Sequence, residues 1–163
     1  MNATKLLLIV SIVQMFFSYP LRAEHYYYKQ ISLKAGLPST VHCIAADNRG
    51  FVWMGTRSGL GRFDGQELKK YIHNSSLSNS LPGNQIYQIA RGEQGNLWIL
   101  TDKGISLYRY QSDDFLLQTD EKGENLIAYS VCRTPEGILF GGQGKSITIV
   151  IKNSCIRKIY EFK

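Results

Sequence analysis

The sequence is poor in cysteine and in histidine, with three residues of each among 163. The cysteines, Cys43, Cys132 and Cys155, form no close-spaced pair, and their odd number leaves at least one without a disulfide partner. Spacing typical of metal ligands is therefore absent, and neither a metal nor a cofactor is predicted. A Cys43–Cys132 bridge stays open for an oxidising compartment, but the sequence does not decide whether any cysteine forms a disulfide.

Long apolar runs are missing after residue 23, and so is convincing helical periodicity. The chain instead contains ten Tyr and seven Phe, with β-branched residues and with Gly at turns. This composition favours β structure over helix. We therefore predict an all-β chain without membrane insertion once its amino-terminal segment has been removed.

A strong charge bias is also missing. The formal net charge is +6, but Lys5 and Arg22 fall in the amino-terminal segment, and without them 17 basic residues face 13 acidic ones. The remaining basic residues are interspersed with Asp and Glu, as on an ordinary solvated surface. A nucleic-acid partner is therefore not predicted.

The amino terminus has the layout of a secretory signal peptide. Residues 1–23 carry one positive charge at Lys5, then an apolar run from Leu6 to Phe17, then Pro20 and a small residue at Ala23. The run is interrupted by polar residues and is too short for a bilayer, which needs about 20 apolar residues. This pattern predicts cleavage after Ala23 and a periplasmic location.

The chain also lacks a constellation typical of catalysis. Asp113-Asp114 and Asp120-Glu121 place carboxylates side by side, but no base or nucleophile accompanies them, and acids in polar loops are usually solvated. The run Asp47-Asn48-Arg49-Gly50 lacks the alternating ligands of a calcium loop and is better explained as a turn. We predict no catalytic residue and no metal ligand, and the chain is not expected to be an enzyme.

An internal repeat is the most informative feature of the chain. The segments Leu37–Gly65 and Leu81–Tyr110 match at five positions, each pair 45 residues apart; the first copy has Gly50, Trp53, Thr56, Gly59 and Phe63, and the second has Gly95, Trp98, Thr101, Gly104 and Tyr108. A degraded third copy begins near Leu126, with Gly137 and Phe140 in the Gly and Trp places at a shift of 42. It lacks the Thr and the second Gly. Periods of this size indicate a repeat architecture.

Each full copy predicts four short strands joined by turns, with the Trp filling space between neighbouring sheets. The predicted strands are 41–45, 51–55, 60–63 and 67–72 in the first copy, and 86–90, 96–100, 105–110 and 114–118 in the second. Four antiparallel strands in about 40 to 45 residues make one blade of a β-propeller. The predicted order is a signal peptide (1–23), an entry strand (24–36), blade 1 (37–80), blade 2 (81–124) and a partial blade 3 (125–163).

The segment Gly36–Tyr71 resembles the two-component regulator propeller repeat, through Asp47, Gly50, Trp53, Gly55, Thr56, Gly59, Leu60, Phe63, Asp64 and Gly65. The leader EHYYYKQISLKA is similar to the entry strand of that family, and residues 76–86 are similar to its linker between blades. The resemblance implies a membrane regulator of glycan-using bacteria, in which periplasmic propellers sense oligosaccharides and a histidine kinase and a DNA-binding domain follow.

The chain carries about three blades, whereas propellers close with roughly four to eight. We therefore expect the amino-terminal part of a periplasmic sensor, with an oligosaccharide ligand in the intact protein and with further blades or a second copy as partners. His25, His42 and His73 have no setting for a phospho-accepting histidine, so no kinase function is expected here.

Several alternatives stay open from the sequence alone. The chain could be a truncated product without function or part of a periplasmic propeller enzyme. Tyr26-Tyr27-Tyr28 could stack on a sugar, although packing of the entry strand is favoured. Asn74-Ser75-Ser76 fits a glycosylation triplet but is better explained as a polar loop. The ligand-binding residues are unknown at this stage.

Overall fold

The computed structural model describes residues 3–4, 40–92, 95–120, 122–135, 137–142, 147–152 and 155–161, the last two ranges as backbone. The chain divides into two units, Met1–Ile31 and Ser32–Lys163, and the strands given below lie in the second. The predicted entry strand and, apart from residues 3–4, the predicted signal peptide lie outside the described residues. Within those ranges, no helix has the length and apolar character needed to cross a membrane.

The described residues form three antiparallel sheets of four strands. The first sheet contains β1 (Val41–Ala46), β2 (Val52–Thr56), β3 (Gly59–Phe63) and β4 (Leu68–Tyr71). The second contains β5 (Ile86–Arg91), β6 (Leu97–Thr101), β7 (Gly104–Arg109) and β8 (Asp114–Leu117). The third contains β9 (Ser130–Thr134), β10 (Gly137–Gly141), β11 (Ile147–Lys152) and β12 (Cys155–Glu161). In each sheet the strands pair in chain order.

The prediction of an all-β fold is confirmed. Each of the eight strands predicted in the two full copies is present, and no end differs from the prediction by more than one residue. The agreement follows from turn chemistry, because Gly50 and Gly95 end the first turn of each copy with φ of 88° and 81°. A left-handed conformation of this kind is costly for residues that carry a Cβ atom.

A shared hairpin explains the matched Thr and Gly positions. The hydroxyl of Thr56 donates to the carbonyl of Gly59 at 2.8 Å, and Thr101 makes the same bond to Gly104 at 2.9 Å. Both threonine side chains are buried, so each hydroxyl needs a partner inside the protein. The repeat therefore preserves a turn that satisfies its own polar groups.

Two apolar clusters lie between the sheets. Trp53 and Leu60 of the first sheet pack with Leu97, Ile99 and other residues of the second. In the same way Trp98 packs with Phe140 of the third sheet, their ring centroids 5.6 Å apart. Both tryptophans are almost completely buried, so the prediction that they fill the space between sheets is confirmed. Burial of a large aromatic side chain contributes about 1.5–3 kcal/mol relative to its exposed state.

The third sheet corrects one sequence equivalence. Gly137 has a φ of 148° and its carbonyl accepts from the Thr134 hydroxyl, so it resembles Gly59 and Gly104 more than Gly95, and Phe140 does not occupy the place of Trp98. Phe140 pairs with Val131 and faces the second sheet, just as Ile99 pairs with Ile89 and faces the first. The cause is the turn between β9 and β10, which Thr134 and Gly137 close and which is one residue shorter than the turn between β5 and β6. Phe140 follows its partner Val131 by nine positions, whereas Ile99 follows its partner Ile89 by ten. A slip of one residue moves a side chain to the opposite face of a strand.

The sheets share an inner edge, and the segments that join them lie at one end of the sheets. Strands β1, β5 and β9 open the three sheets; β1 contacts β5, and β5 contacts β9, so these strands form an inner edge. The segments 72–85 and 118–129, which join the sheets, run past the turns after β2 and β6: Gly59 donates to the carbonyl of Asn84, and Asp102 donates to that of Gln85. We call this end of the sheets the linker end.

Candidate functional site

A buried carboxylate joins the first two sheets at the end opposite the linkers. Asp47 lies in the turn between β1 and β2 and is only 7% exposed. Its Oδ1 atom accepts hydrogen bonds from the backbone N–H groups of Arg49 and Phe51, at 2.8 and 2.9 Å. Its Oδ2 atom accepts from Trp53 Nε1 at 2.8 Å and from the hydroxyl of Tyr110 at 2.7 Å. The carboxylate therefore connects its own turn to both sheets.

This arrangement favours the ionised form of Asp47. Burial opposes ionisation, but hydrogen bonds from Trp53, Tyr110 and the turn N–H groups outweigh it, and the pKa of Asp47 is lowered. Burial and the bond to Asp47 raise the pKa of the Tyr110 hydroxyl. All four donors point at one side chain with no cation among them, so the geometry indicates an anchor between sheets and confirms that this run is a turn.

A second carboxylate occupies a cluster of charged and phenolic groups. Asp113 lies between β7 and β8 and accepts from Tyr71 at 2.6 Å, from Tyr108, from Lys69 and from Arg62 at 3.3 Å. Three of these partners belong to the first sheet. The carboxylate is partly buried, but hydrogen bonds led by Lys69 lower the pKa of Asp113 to about 2. Its φ of 55° is held by these contacts, since Asp tolerates the left-handed region.

The neighbouring carboxylate, Asp114, is also held in place. Arg109 binds it through two nitrogens at 2.7 and 2.6 Å, and Ser112 and Asn79 donate to it as well. The hydrogen bond from Arg109 is the main reason why the pKa of Asp114 lies well below its usual range. The expectation that Asp113 and Asp114 are ordinary solvated loop acids is therefore wrong. Three partners of Asp113 come from the first sheet, 42 to 51 residues earlier, and cannot be read from local sequence.

The inner edge presents an equivalent position in each sheet at the linker end. On β1, Cys43 pairs with Gly55 while His42 is skipped; on β5, Gln88 pairs with Leu100 while Tyr87 is skipped. Each skipped residue marks a β-bulge, which redirects a side chain and is common beside functional sites. His42 and Tyr87 are 45 residues apart, so they occupy the same position of the repeat.

Tyr129 occupies this position in the third sheet. Ser130 pairs with Gly141, and the N–H of Tyr129 donates to the same Gly141 carbonyl at 2.8 Å. Two residues thus face one, as at a bulge. The ring centroids of Tyr87 and Tyr129 lie 4.9 Å apart with planes inclined by 44°. The three blades thus place a ring at the same position, which we call the ring row: Tyr129 is 43% exposed and His42 is exposed, while Tyr87 is half-buried.

A side-chain amide fixes the spacing of this row. Gln88 Oε1 accepts from the N–H of Val131 at 2.9 Å, and Gln88 Nε2 donates to the Val131 carbonyl at 3.4 Å. The Gln88 amide therefore both accepts from and donates to the backbone of one β9 residue, as the backbone of a paired strand does. This bond pair holds the inner strands of the second and third sheets together beside Tyr87 and Tyr129.

A shallow groove of about 230 Å³ lies farther out at the linker end. Polar linker residues such as His73, Asn74 and Ser80 line it together with Leu117 and Asn125. His73 is held by Asn84 Oδ1, which accepts from its N–H, and by the Leu81 carbonyl near Nδ1, both at 2.7 Å. Among the described side chains, no buried polar atom lacks a hydrogen-bond partner. The polar groups of His73 already have partners within the protein, so the ring row is the better candidate for a binding site.

The thiols of Cys43 and Cys132 are both free, so the structure contains no Cys43–Cys132 bridge, whereas the side chain of Cys155 lies outside the description. Asp120 accepts from the backbone N–H groups of Lys122 and Glu124 within its own turn. His25 and Tyr26–Tyr28 are outside the described residues, as is Glu121.

The loop residues show no ligand cluster. Asn74 accepts from the N–H of Ser76 in an exposed turn, consistent with a polar loop. Among the described residues, no group of three or more His, Cys, Asp or Glu side chains is placed to hold a metal ion. Sequence reasoning missed the ring row, although the 45-residue shift between His42 and Tyr87 was a signal that could have revealed it.

Comparison with solved structures identifies the fold. The chain matches the extracellular domain of BT3049 from B. thetaiotaomicron, assigned to a hybrid two component system, with 25% identity and a TM-score of 0.60, over 72% of this chain and 18% of that one. Two structures of the extracellular domain of BT4673 from the same organism match with 22% and 20% identity and TM-scores of 0.59 and 0.62. One covers 78% of this chain and 19% of that one, and the other covers 83% and 18%. The chain thus spans about a fifth of these domains. No curated protein matches it.

Four-stranded antiparallel sheets that pack face to face along a common inner edge are the blades of a β-propeller protein. The model of the two-component regulator propeller family matches residues 36–58 and 80–103, which include Trp53 and Thr56 of the first copy and Trp98 and Thr101 of the second. Residues 36–58 and 80–103 are therefore similar to two-component regulator propeller repeats.

Proposed function

We propose that this chain contributes to the ligand-sensing propeller of a two-component regulator, exported from the cytoplasm. The observation that carries the proposal is that both repeats matched by the family fold as adjacent packed blades, in an arrangement similar to the extracellular domain of BT3049. The role is binding, and we assign no catalytic step to these residues.

We propose further that the ligand is an oligosaccharide in the periplasm. Support comes from the linker end, where rings from successive blades are presented next to polar turns. Aromatic side chains combine a large apolar face with, in Tyr, a polar tip, which suits a ligand with C–H faces and hydroxyl edges. A shallow open surface also accommodates a chain of sugars better than it would enclose a small apolar molecule.

Isothermal titration calorimetry tests this function directly. The protein is titrated with cellohexaose, xylohexaose, mannohexaose and maltohexaose in separate experiments. We expect saturable heat with one of these probes and none with the others, because a sensor discriminates by sugar geometry. Equal heats with every probe, or no heat with any, would contradict oligosaccharide sensing.

Export is tested separately with alkaline phosphatase fused after Lys163, since that enzyme needs an oxidising compartment for its disulfides. We expect phosphatase activity from the full fusion and none from a matched fusion that lacks residues 1–23. Equal activity of the two fusions would refute the role of residues 1–23 as a signal peptide.

A further inference from the structure

We propose that Tyr87 and Tyr129 form a stacking platform for one pyranose ring at the linker end of the inner edge, with His42 in the equivalent place on the first blade. This inference rests on the proposed function for the ligand class and adds the place of binding. It starts from the fact that each blade places a ring at the same position of its first strand, exposed in His42 and Tyr129 and half-buried in Tyr87.

The bulge explains why these rings can reach a ligand. In a regular strand, successive side chains point to opposite faces, so the residue after Ile86 would point away from the Ile86 face and pack between two sheets. The extra residue turns the strand locally, so Tyr87 lies at the edge of the Trp98 cluster instead of inside it. Tyr129 contacts Tyr87 from the next blade and remains 43% exposed. The pair therefore offers apolar surface that the packing of the blades does not consume.

The platform is already arranged before a ligand arrives. The two hydrogen bonds between Gln88 and Val131 fix β5, which carries Tyr87, to β9, which begins one residue after Tyr129. A tyrosine has only two side-chain torsions, so ordering it costs little conformational entropy. Binding to a preformed surface loses less free energy than binding that must first arrange it.

A polar turn beside the rings can serve the hydroxyl groups of a sugar. Asp102, in the hairpin after β6, accepts from the N–H of Gln85 at 3.3 Å and lies close enough to act on Tyr87. The Tyr87 hydroxyl is protonated at neutral pH and can donate. Burial, followed by Tyr129 and Asp102, raises its pKa further. Lys103 follows in the same exposed turn and adds a donor. Apolar faces flanked by hydrogen-bonding groups match the two kinds of surface on a pyranose.

Substitutions that remove or keep the ring test the platform. With the hexasaccharide that gives heat in the calorimetric panel, Tyr87→Ala and Tyr129→Ala should each weaken binding about tenfold, since stacking on an aromatic face is of this order. Tyr87→Phe and Tyr129→Phe keep the ring and should stay within about threefold of the unsubstituted protein. Leu116→Ala is the matched control, because Leu116 is 45% exposed but lies on the outer strand β8. Its affinity should not change.

The outcomes separate the two proposals. If a hexasaccharide binds and both Ala variants bind it as well as the unsubstituted protein, the platform is refuted while the sensing function stands. If no hexasaccharide binds the unsubstituted protein, the sensing function fails and the platform fails with it.

A measurement without substitution guards against an Ala variant that does not fold. In protein with labelled tyrosine rings, the ring resonances of Tyr87 and Tyr129 should shift when the binding hexasaccharide is added. The buried rings of Tyr71 and Tyr108 should not shift. Shifts confined to other tyrosines would overturn the assignment.

Discussion

Replacing Asp47 by Asn tests whether a buried carboxylate holds the first two blades together. The substitution keeps the size and shape of the side chain. The amide oxygen can still accept from the N–H groups of Arg49 and Phe51, so the turn should survive. The new NH₂ group, however, replaces the oxygen that accepts from Trp53 and Tyr110.

The expected loss of stability depends on whether Trp53 and Tyr110 can find other hydrogen-bond partners. The Tyr110 hydroxyl can rotate and accept from the new amide, but the indole N–H of Trp53 can only donate. A hydrogen bond to a charged group contributes about 1.5–3 kcal/mol, and an unsatisfied buried donor adds to its loss. We therefore expect Asp47→Asn to lower the free energy of unfolding by about 2–4 kcal/mol at neutral pH.

Urea unfolding followed by tryptophan fluorescence provides the assay, because Trp53 and Trp98 are both buried between blades. With a slope of about 2 kcal/mol per molar urea, the midpoint should fall by roughly 1–2 M. Asp64→Asn is the control: Asp64 also accepts two backbone N–H bonds in a turn, but it is exposed. Its midpoint should match that of the unsubstituted protein.

A double-mutant cycle with Tyr110→Phe shows whether the bond between blades carries the effect. Tyr110→Phe keeps the ring that packs against Tyr108 and should cost about 1 kcal/mol. In the Asp47→Asn background it should cost clearly less, because the carboxylate partner is gone. Additive effects, or an Asp47→Asn midpoint equal to the unsubstituted value, would refute the reasoning.

The pH dependence gives an independent check on Asp47. Its pKa is lower in the folded protein than in the unfolded chain, so its ionisation stabilises the fold above about pH 4. That stabilisation is lost as the pH falls through the folded pKa. The difference between the unsubstituted protein and Asp47→Asn should therefore shrink under acid conditions, and a constant difference would argue against a charged anchor.

Three further substitutions test the other contacts between blades. Asp113→Asn should flatten the loss of stability between about pH 4 and pH 2 in a pH series of urea midpoints, because the pKa of Asp113 is about 2 in the folded protein. Gln88→Ala should speed amide hydrogen exchange at Val131 and lower stability by about 1–2 kcal/mol, since both its bonds cross to β9. Gly55→Ala should cost about 1–3 kcal/mol in urea unfolding, because a Cβ atom there would lie 2.4 Å from Cys43 Sγ.

Controls for these substitutions are available in the same chain. Gln118→Ala removes an amide that donates to the Leu116 carbonyl two residues earlier, and it should leave exchange at Val131 unchanged. Cys43→Ala should restore part of the stability lost in Gly55→Ala, because it removes the nearest atom. An unaltered acid limb in Asp113→Asn, unchanged exchange in Gln88→Ala, or full stability in Gly55→Ala would each contradict the corresponding contact.

The blades could be predicted from sequence because their determinants are local and repeated. The Thr56–Gly59 hairpin and its copy at Thr101–Gly104 each satisfy their own hydrogen bonds within four residues. Strands between such turns have little freedom in length, so their ends fall within one residue of the prediction. The burial of the tryptophans follows from the same repeat, since each blade must cover the face of the next.

The contacts between blades could not be predicted in the same way. Asp113 finds Arg62, Lys69 and Tyr71 on strands that precede it by 42 to 51 residues, and nothing beside Asp113 in the sequence indicates them. The place of Phe140 differs from the prediction because the repeat implies a turn of constant length. Pairing of Thr134 with Gly137 shortens that turn, and the period of two in a strand then reverses the face.

The positions at which the repeats differ therefore distinguish one blade of this propeller from the next. Asp47 has Gly92 as its counterpart, and a Cβ atom at Gly92 would lie 2.7 Å from Trp98 Nε1. The second blade thus places its own indole where the first places a carboxylate, and the two junctions between blades cannot be interchanged. The same holds at the inner edge, where His42 on the first blade corresponds to Tyr87 on the second. The residues that repeat form each blade. The residues that differ between copies determine how neighbouring blades pack and which side chains lie at the linker end.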